Sequence, residues 1–123
     1  MPREKEKFVK DLKKRLYTFA LKLIGFIENL PKDRISRRLS DQLLRSGTSV
    51  LANYVEGQSA SSKKDFTNFL TISLKSANES KVWLALLRDS KRTTASKTAW
   101  FLTELDELSK ILASSVLKCK GKR

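Results

Sequence analysis

The sequence predicts an all-α fold, an antiparallel up-down-up-down four-helix bundle in a single domain over residues 1–123. Apolar residues recur at steps of three and four along most of the chain, and only 4 glycines and 2 prolines interrupt them. No stretch alternates apolar and polar residues as a half-buried strand does. A chain of 123 residues can bury one sizeable core and is too short for two.

The first helix is expected at about residues 5–29, where Phe8, Leu12, Leu16, Phe19, Leu23, Ile24, Phe26, Ile27 and Leu30 supply one apolar face. Leu30-Pro31 ends it, because proline disfavours helical geometry in the residue before it and lacks an amide donor. The second helix is expected at 34–56, with Ile35, Leu39, Leu43, Leu44, Val50, Leu51, Tyr54 and Val55 as its stripe and Gly57 as its C-terminal cap. Arg45-Ser46-Gly47-Thr48-Ser49 inside it is poor in helix propensity, and Gly47 costs about 1 kcal/mol relative to alanine. Unbroken periodicity on both sides favours a continuous helix with a close helix approach over a loop.

Ser62-Lys63-Lys64-Asp65 resembles a capping box and opens the third helix, expected at 63–88. Thr93 or Thr94 caps the fourth, expected at 94–118 and followed by a basic tail over 118–123. Rods of roughly 22 to 26 residues reach roughly 33 to 39 Å, and short links between such rods favour antiparallel neighbours. Phe66, Phe69, Leu70, Ile72 and Leu74 surround most of the third helix, which predicts partners on more than one side and hence a homo-oligomer.

Leu30-Pro31, Gln42-Leu43-Leu44-Arg45-Ser46, Thr48-Ser49-Val50, Ala52-Asn53 with Glu56-Gly57, Ser62-Lys63-Lys64-Asp65-Phe66, and Glu79-Ser80 with Trp83-Leu84 form a combination that runs from Leu30 to Ser90. In these residues the segment resembles the small four-helix-bundle proteins encoded within intervening sequences of bacterial 23S ribosomal RNA genes. It covers about half of the chain, while the first and fourth helices match in pattern only. The resemblance implies a four-helix bundle assembled as a ring-like homopentamer. More distantly it extends to the accessory variability proteins of diversity-generating retroelements, basic pentamers that bind nucleic acid and a reverse transcriptase. Two departures stand out: the opening lacks the Asp- and Trp-containing start of many relatives, and Lys91-Arg92-Thr93-Thr94 occupies a place where a glycine-containing turn is common.

Lysine and arginine number 26 against 13 acidic residues, a formal charge of +13 that points to a polyanionic partner, RNA or DNA. The plain alternative is a solubilising surface. The expected topology gathers Lys32, Arg34, Arg37, Arg38, Arg88, Lys91, Arg92 and Lys97 at one end, as a nucleic-acid-binding set that contacts phosphate. The opposite end gathers the N-terminal lysines, Lys63, Lys64, Lys118, Lys120, Lys122 and Arg123.

Histidine is absent, which removes Ser-His and Cys-His chemistry, and a single cysteine with no histidine argues against a zinc site. No cofactor, metal site or enzymatic activity is expected, since a Glu56 and Glu79 carboxylate pair lacks an assignable acid and base. Arg45, Asn53, Glu56 and Glu79 are instead expected to form a structural polar network between the second and third helices, including an Arg45 to Glu79 pair. Trp83 and Trp100 read as core or subunit-interface anchors rather than base-stacking platforms. Cys119 is a lone thiol in a basic tail, and with no signal or spanning segment the expected location is cytoplasmic. The functional expectation is a nucleic-acid-binding accessory protein; the alternative is a scaffold ring for a protein partner such as a reverse transcriptase.

Overall fold

The computed structural model describes residues 2–121, so Met1, Lys122 and Arg123 lie outside the described residues. Four helices form an all-α bundle: α1 (Pro2–Glu28), α2 (Arg34–Gln58), α3 (Lys63–Asp89) and α4 (Ala95–Cys119). No strand occurs among the described residues, and no helix among them is long and apolar enough to cross a membrane.

Local chemistry sets the helix ends. The Asn29 and Leu30 amides donate to the Phe26 and Ile27 carbonyls at 3.2 and 3.0 Å, which tightens the last turn of α1 ahead of Pro31. The Asp33 carboxylate accepts the Ser36 amide at 3.3 Å to cap α2, Ser62 Oγ accepts the Asp65 amide at 3.1 Å to cap α3, and Thr94 Oγ1 accepts the Lys97 amide at 3.2 Å to cap α4. α2 runs through residues 45–49 without a break, as the periodicity requires.

Gly57 is not the C-terminal cap that its position suggests. It lies inside α2 with Ser59 as the cap, and it is buried: a Cβ there would stand 3.1 Å from Phe69 Cβ and 3.5 Å from Phe66 Cδ1. Its role is therefore close packing against α3.

The core is built from Leu16, Phe19 and Leu23 of α1, Leu43 and Val50 of α2, Leu70, Leu84 and Leu87 of α3, and Leu105, Leu108 and Leu112 of α4, all essentially inaccessible to water. Each such side chain contributes about 1.5–3 kcal/mol by leaving water. α2 and α3 pack most intimately, through small residues. Ser46 Oγ meets Ser80 Oγ at 2.7 Å, Ser76 Oγ donates to Ser49 Oγ at 2.8 Å, and Ser73 Oγ donates to the Val50 carbonyl at 2.7 Å. Ala77, fully buried, continues the same seam. Short side chains let the backbones approach, and the hydroxyls of Ser46, Ser73, Ser76 and Ser80 all find partners, which avoids the 1–3 kcal/mol or so that an orphaned polar group costs; Ser40 Oγ, buried nearer the start of α2, is the exception and has no partner among the described residues.

α1 lies along α2 at a second close approach, where a Cβ at Gly47 would overlap Leu23 Cδ2, with Phe19 Cε2 3.9 Å away. Leu23 and Phe19 are fully buried, so a side chain at position 47 would force the Leu23 methyl to move within the core. α1 and α4 meet only sparsely. Their join is a fork in which Arg15 donates from Nε to Glu104 Oε2 at 2.7 Å and from Nη2 to Glu104 Oε1 at 2.9 Å, and also pairs with Glu107. Glu104 first and Glu107 second push the Arg15 guanidinium further above its already high value, so it stays charged.

Gly47→Val is expected to destabilise the fold by about 2 kcal/mol, because overpacking at Leu23 outweighs the small gain in helix propensity. Urea unfolding measures this, and a variant as stable as the parent chain would show that close approach of α1 and α2 is not a constraint.

Candidate nucleic-acid interface

The links between α1 and α2 and between α3 and α4 come together at one end of the bundle. Arg92 makes the join: its Nε donates to Ser36 Oγ at 2.9 Å and its Nη2 stands 3.7 Å from Asp33 Oδ2. Ser36 Oγ in turn donates to Asp33 Oδ1 at 2.6 Å. The Ser36 hydroxyl and amide, with Arg92 adding attraction, hold the Asp33 carboxyl below its usual range, so it stays ionised as the α2 cap. The turn of α2 that Arg92 grips is the one carrying Arg34, Arg37 and Arg38.

The eight cations expected here divide by environment. Arg34, Arg37, Arg38 and Lys97 are exposed and have no carboxylate at ion-pair distance among the described residues. Lys32 donates to the Glu28 carbonyl at 3.0 Å, closing the C-terminus of α1. Arg88 donates to Asp89 Oδ1 at 2.8 Å, which lowers the Asp89 carboxyl below its usual range and offsets part of the Arg88 charge. Arg92 is a strut between loops. Lys91 is exposed, with φ of 66°.

That backbone follows from how α3 stops. The Ser90, Lys91 and Arg92 amides donate to the Leu86, Arg88 and Leu87 carbonyls, and the turn from α3 into the loop needs a left-handed residue at Lys91. This is the glycine-like position that the sequence fills with lysine, so a side chain bears the strain and a cation is presented at the tip of the bundle.

Beside this tip, between the C-terminal half of α1 and the start of α4, lies an open groove of about 810 Å³. Lys22, Lys91, Arg92 and Lys97 line it together with Phe26 and Trp100, and no carboxylate does. Trp100 is 41% exposed although it stacks on Phe19 at 6.1 Å and meets Phe101 edge-on at 5.1 Å. Lys22 Nζ sits 4.7 Å from the centre of its ring. The sequence places Trp100 as an anchor, and the structure shows an anchor with one part in the aromatic cluster and one part open. Trp83, half-buried against the core, donates weakly from Nε1 to Glu79 Oε2 at 3.4 Å.

The expected polar network takes a different form. Arg45, Glu56 and Glu79 are exposed, and within one chain Arg45 does not pair with Glu79. They point outward because the inward positions of α2 and α3 are taken by serine, alanine and glycine, which leave no room for a long side chain. Asn53 alone of the four joins the seam, donating to the Ser49 carbonyl at 3.0 Å and to Ser49 Oγ at 2.8 Å. The members that sequence reasoning missed are Ser46, Ser49, Ser73, Ser76 and Ser80. Their spacing of three and four was the available signal.

At the other end, Lys5, Gln58, Lys63 and Cys119 border one shallow depression, which brings the N-terminus, the link between α2 and α3, and the end of α4 together. Lys64, Lys118 and Lys120 are exposed nearby in sequence. Cys119 is half-buried against the core rather than free in the tail.

These features define a class: an all-α four-helix bundle with a serine-lined seam and cationic ends. The family model for 23S rRNA-intervening sequence proteins matches residues 10–114, and the chain belongs to that family. A similar solved structure is a protein of unknown function from the S23 ribosomal protein family of Bacteroides thetaiotaomicron, 35% identical, with a TM-score of 0.77 over 85% of this chain and 97% of that one. No curated protein matches the chain.

Replacing Lys91 with glycine is expected to raise stability by about 0.5–1 kcal/mol, since glycine adopts the left-handed turn without strain. Thermal and urea unfolding read the gain; no gain would mean that Lys91 is unstrained.

Proposed function

We propose that this chain is a non-enzymatic, homo-oligomeric nucleic-acid-binding accessory protein that holds RNA or DNA through phosphate contacts at its cationic ends. The observation that carries this reading is the tip where the two links meet. Arg34, Arg37, Arg38 and Lys97 stand there with no carboxylate at ion-pair distance among the described residues, while the nearby Asp33 is engaged by Ser36 and Arg92. Uncompensated guanidinium groups on a rigid end suit phosphate, and their fork geometry favours two contacts per group.

The helices are taken as antiparallel, up-down-up-down. The descending partners Ser46 with Ser80 and Val50 with Ser73 across α2 and α3, and Asn78 with Ser109 and Lys81 with Asp106 across α3 and α4, support that order. Self-association rests on apolar side chains that one chain leaves in water. Tyr17, Leu21 and Ile24 form a stripe on α1, and Ile72, Val82 and Leu86 form one on α3. In a pentameric ring, the assembly that the family resemblance implies, each cationic tip would repeat around the axis and form a collar. Arg45, Glu56 and Glu79 would then be candidates for contacts between subunits. A cytoplasmic location goes with this reading.

The α3 stripe equally favours a second reading, a scaffold ring that carries a protein partner such as a reverse transcriptase. Salt separates the two. Phosphate binding through about six contacts should weaken by about 10³-fold between 50 and 200 mM salt, whereas an apolar protein interface should not. Fluorescence anisotropy with a structured RNA and a DNA duplex reads this, and the combined change Arg34→Glu, Arg37→Glu and Arg38→Glu should lower the salt slope by about 3. Nucleic-acid affinity indifferent to salt and to these changes would overturn the proposal. Light scattering should give a mass several times that of one chain, and Val82→Lys should reduce it; a monomeric parent chain would remove the oligomer.

A further inference from the structure

We propose that the groove between α1 and α4 takes one unstacked nucleotide of a single strand, its base on Trp100 and its phosphate between Lys91, Lys97 and Lys22. This rests on the nucleic-acid reading and deepens it, because phosphate contacts alone would not distinguish a single strand from a duplex.

Three observations converge on the groove. Its volume of about 810 Å³ lies within the range that small-molecule-sized ligands occupy, and its charged lining is entirely cationic. Trp100 is held in place by Phe19 and Phe101 yet leaves 41% of its surface exposed, which makes it a rigid platform rather than a mobile surface side chain. The Lys22 ammonium sits 4.7 Å from the centre of that ring, so a face of the indole is reached from the groove by a long, exposed side chain that can swing aside for a base. A base that displaces Lys22 from the ring frees its ammonium for the phosphate of the same nucleotide.

Gly25 supplies the space. It lies inside α1 and lines the groove, and a Cβ built on it would meet nothing within 4 Å. Glycine in a helix interior is less favourable than alanine, and no packing among the described residues requires it at position 25, in contrast to Gly47 and Gly57. Its missing side chain keeps the groove wall flat where the ring of a base would lie. A base in a duplex is stacked and paired and cannot reach this wall, so the groove selects single strands, loops or ends.

The test uses the full chain with Trp83→Phe, so that Trp100 is the sole tryptophan, and two probes: a single-stranded eight-nucleotide thymidine DNA and a DNA duplex of similar length. The single strand is expected to quench Trp100 emission, and the duplex to bind without quenching it. Gly25→Leu fills the groove without altering charge and should weaken the single strand about 10-fold, leave duplex affinity unchanged, and leave the melting temperature unchanged or higher. Trp100→Leu should weaken the single strand similarly. If Gly25→Leu and Trp100→Leu bind the single strand as the parent does, while reversal at Arg34, Arg37 and Arg38 still abolishes binding, the stacking site is wrong and the phosphate reading survives. If neither probe binds the parent at low salt, both fall. If Gly25→Leu changes the mass in solution and not the affinity, the groove is a contact between copies and the inference is overturned.

Discussion

The close approach of α2 to α3 governs the rest of the molecule. Ser46, Ser73, Ser76, Ala77 and Ser80 replace bulky core residues along that seam, with Gly57 completing it beneath Phe66 and Phe69. Backbones can then draw together, but only if each buried hydroxyl is satisfied, and the pairs across the seam and back to helix carbonyls do this. The arrangement fixes register as well as distance: sliding one helix by a turn would take Ser73 and Ser76 away from their partners Val50 and Ser49 across the seam.

An intimate pair at the centre has a structural consequence at the periphery. α4 packs on α3 and α1 on α2, but α1 and α4 barely meet, and the span between them is bridged by the Arg15 fork and by an aromatic cluster of Phe19, Phe26, Trp100 and Phe101. Large rings fill a wide gap that leucines would leave hollow, and where the rings stop the gap opens into the cationic groove. The groove thus follows from unequal helix spacing.

Charge follows a similar division. Along the flanks, carboxylates are spent on bridges, Glu104 and Glu107 with Arg15, Asp106 with Lys81 and Asp11 with Lys7. At the tip, Asp33 is absorbed into a cap and Asp89 into a pair with its neighbour Arg88. Arg34, Arg37, Arg38 and Lys97 there have no carboxylate at ion-pair distance among the described residues, so the tip keeps a share of the excess positive charge of a chain carrying +13.

Helix positions and caps were legible from the residues because they depend on neighbours three and four places away: Ser62 and Thr94 cap where their spacing says they should, and Leu12, Leu16, Phe19 and Leu23 mark one face without any tertiary knowledge. Gly57 misled because glycine after an apolar stripe reads the same whether it ends a helix or admits a neighbour. Arg45 and Glu79 do not pair within one chain, because opposite charges on adjacent helices say nothing about which way each points. Composition and local periodicity determined an all-α chain, the course of its four helices and its excess of positive charge, since these need no knowledge of distant partners. Only the tertiary structure decided that serines rather than charges join α2 to α3, that Arg92 ties the links while Arg34, Arg37 and Arg38 stay free, and that Trp100 and Gly25 share a groove, because each depends on helix rotation and spacing set by residues far apart in the chain.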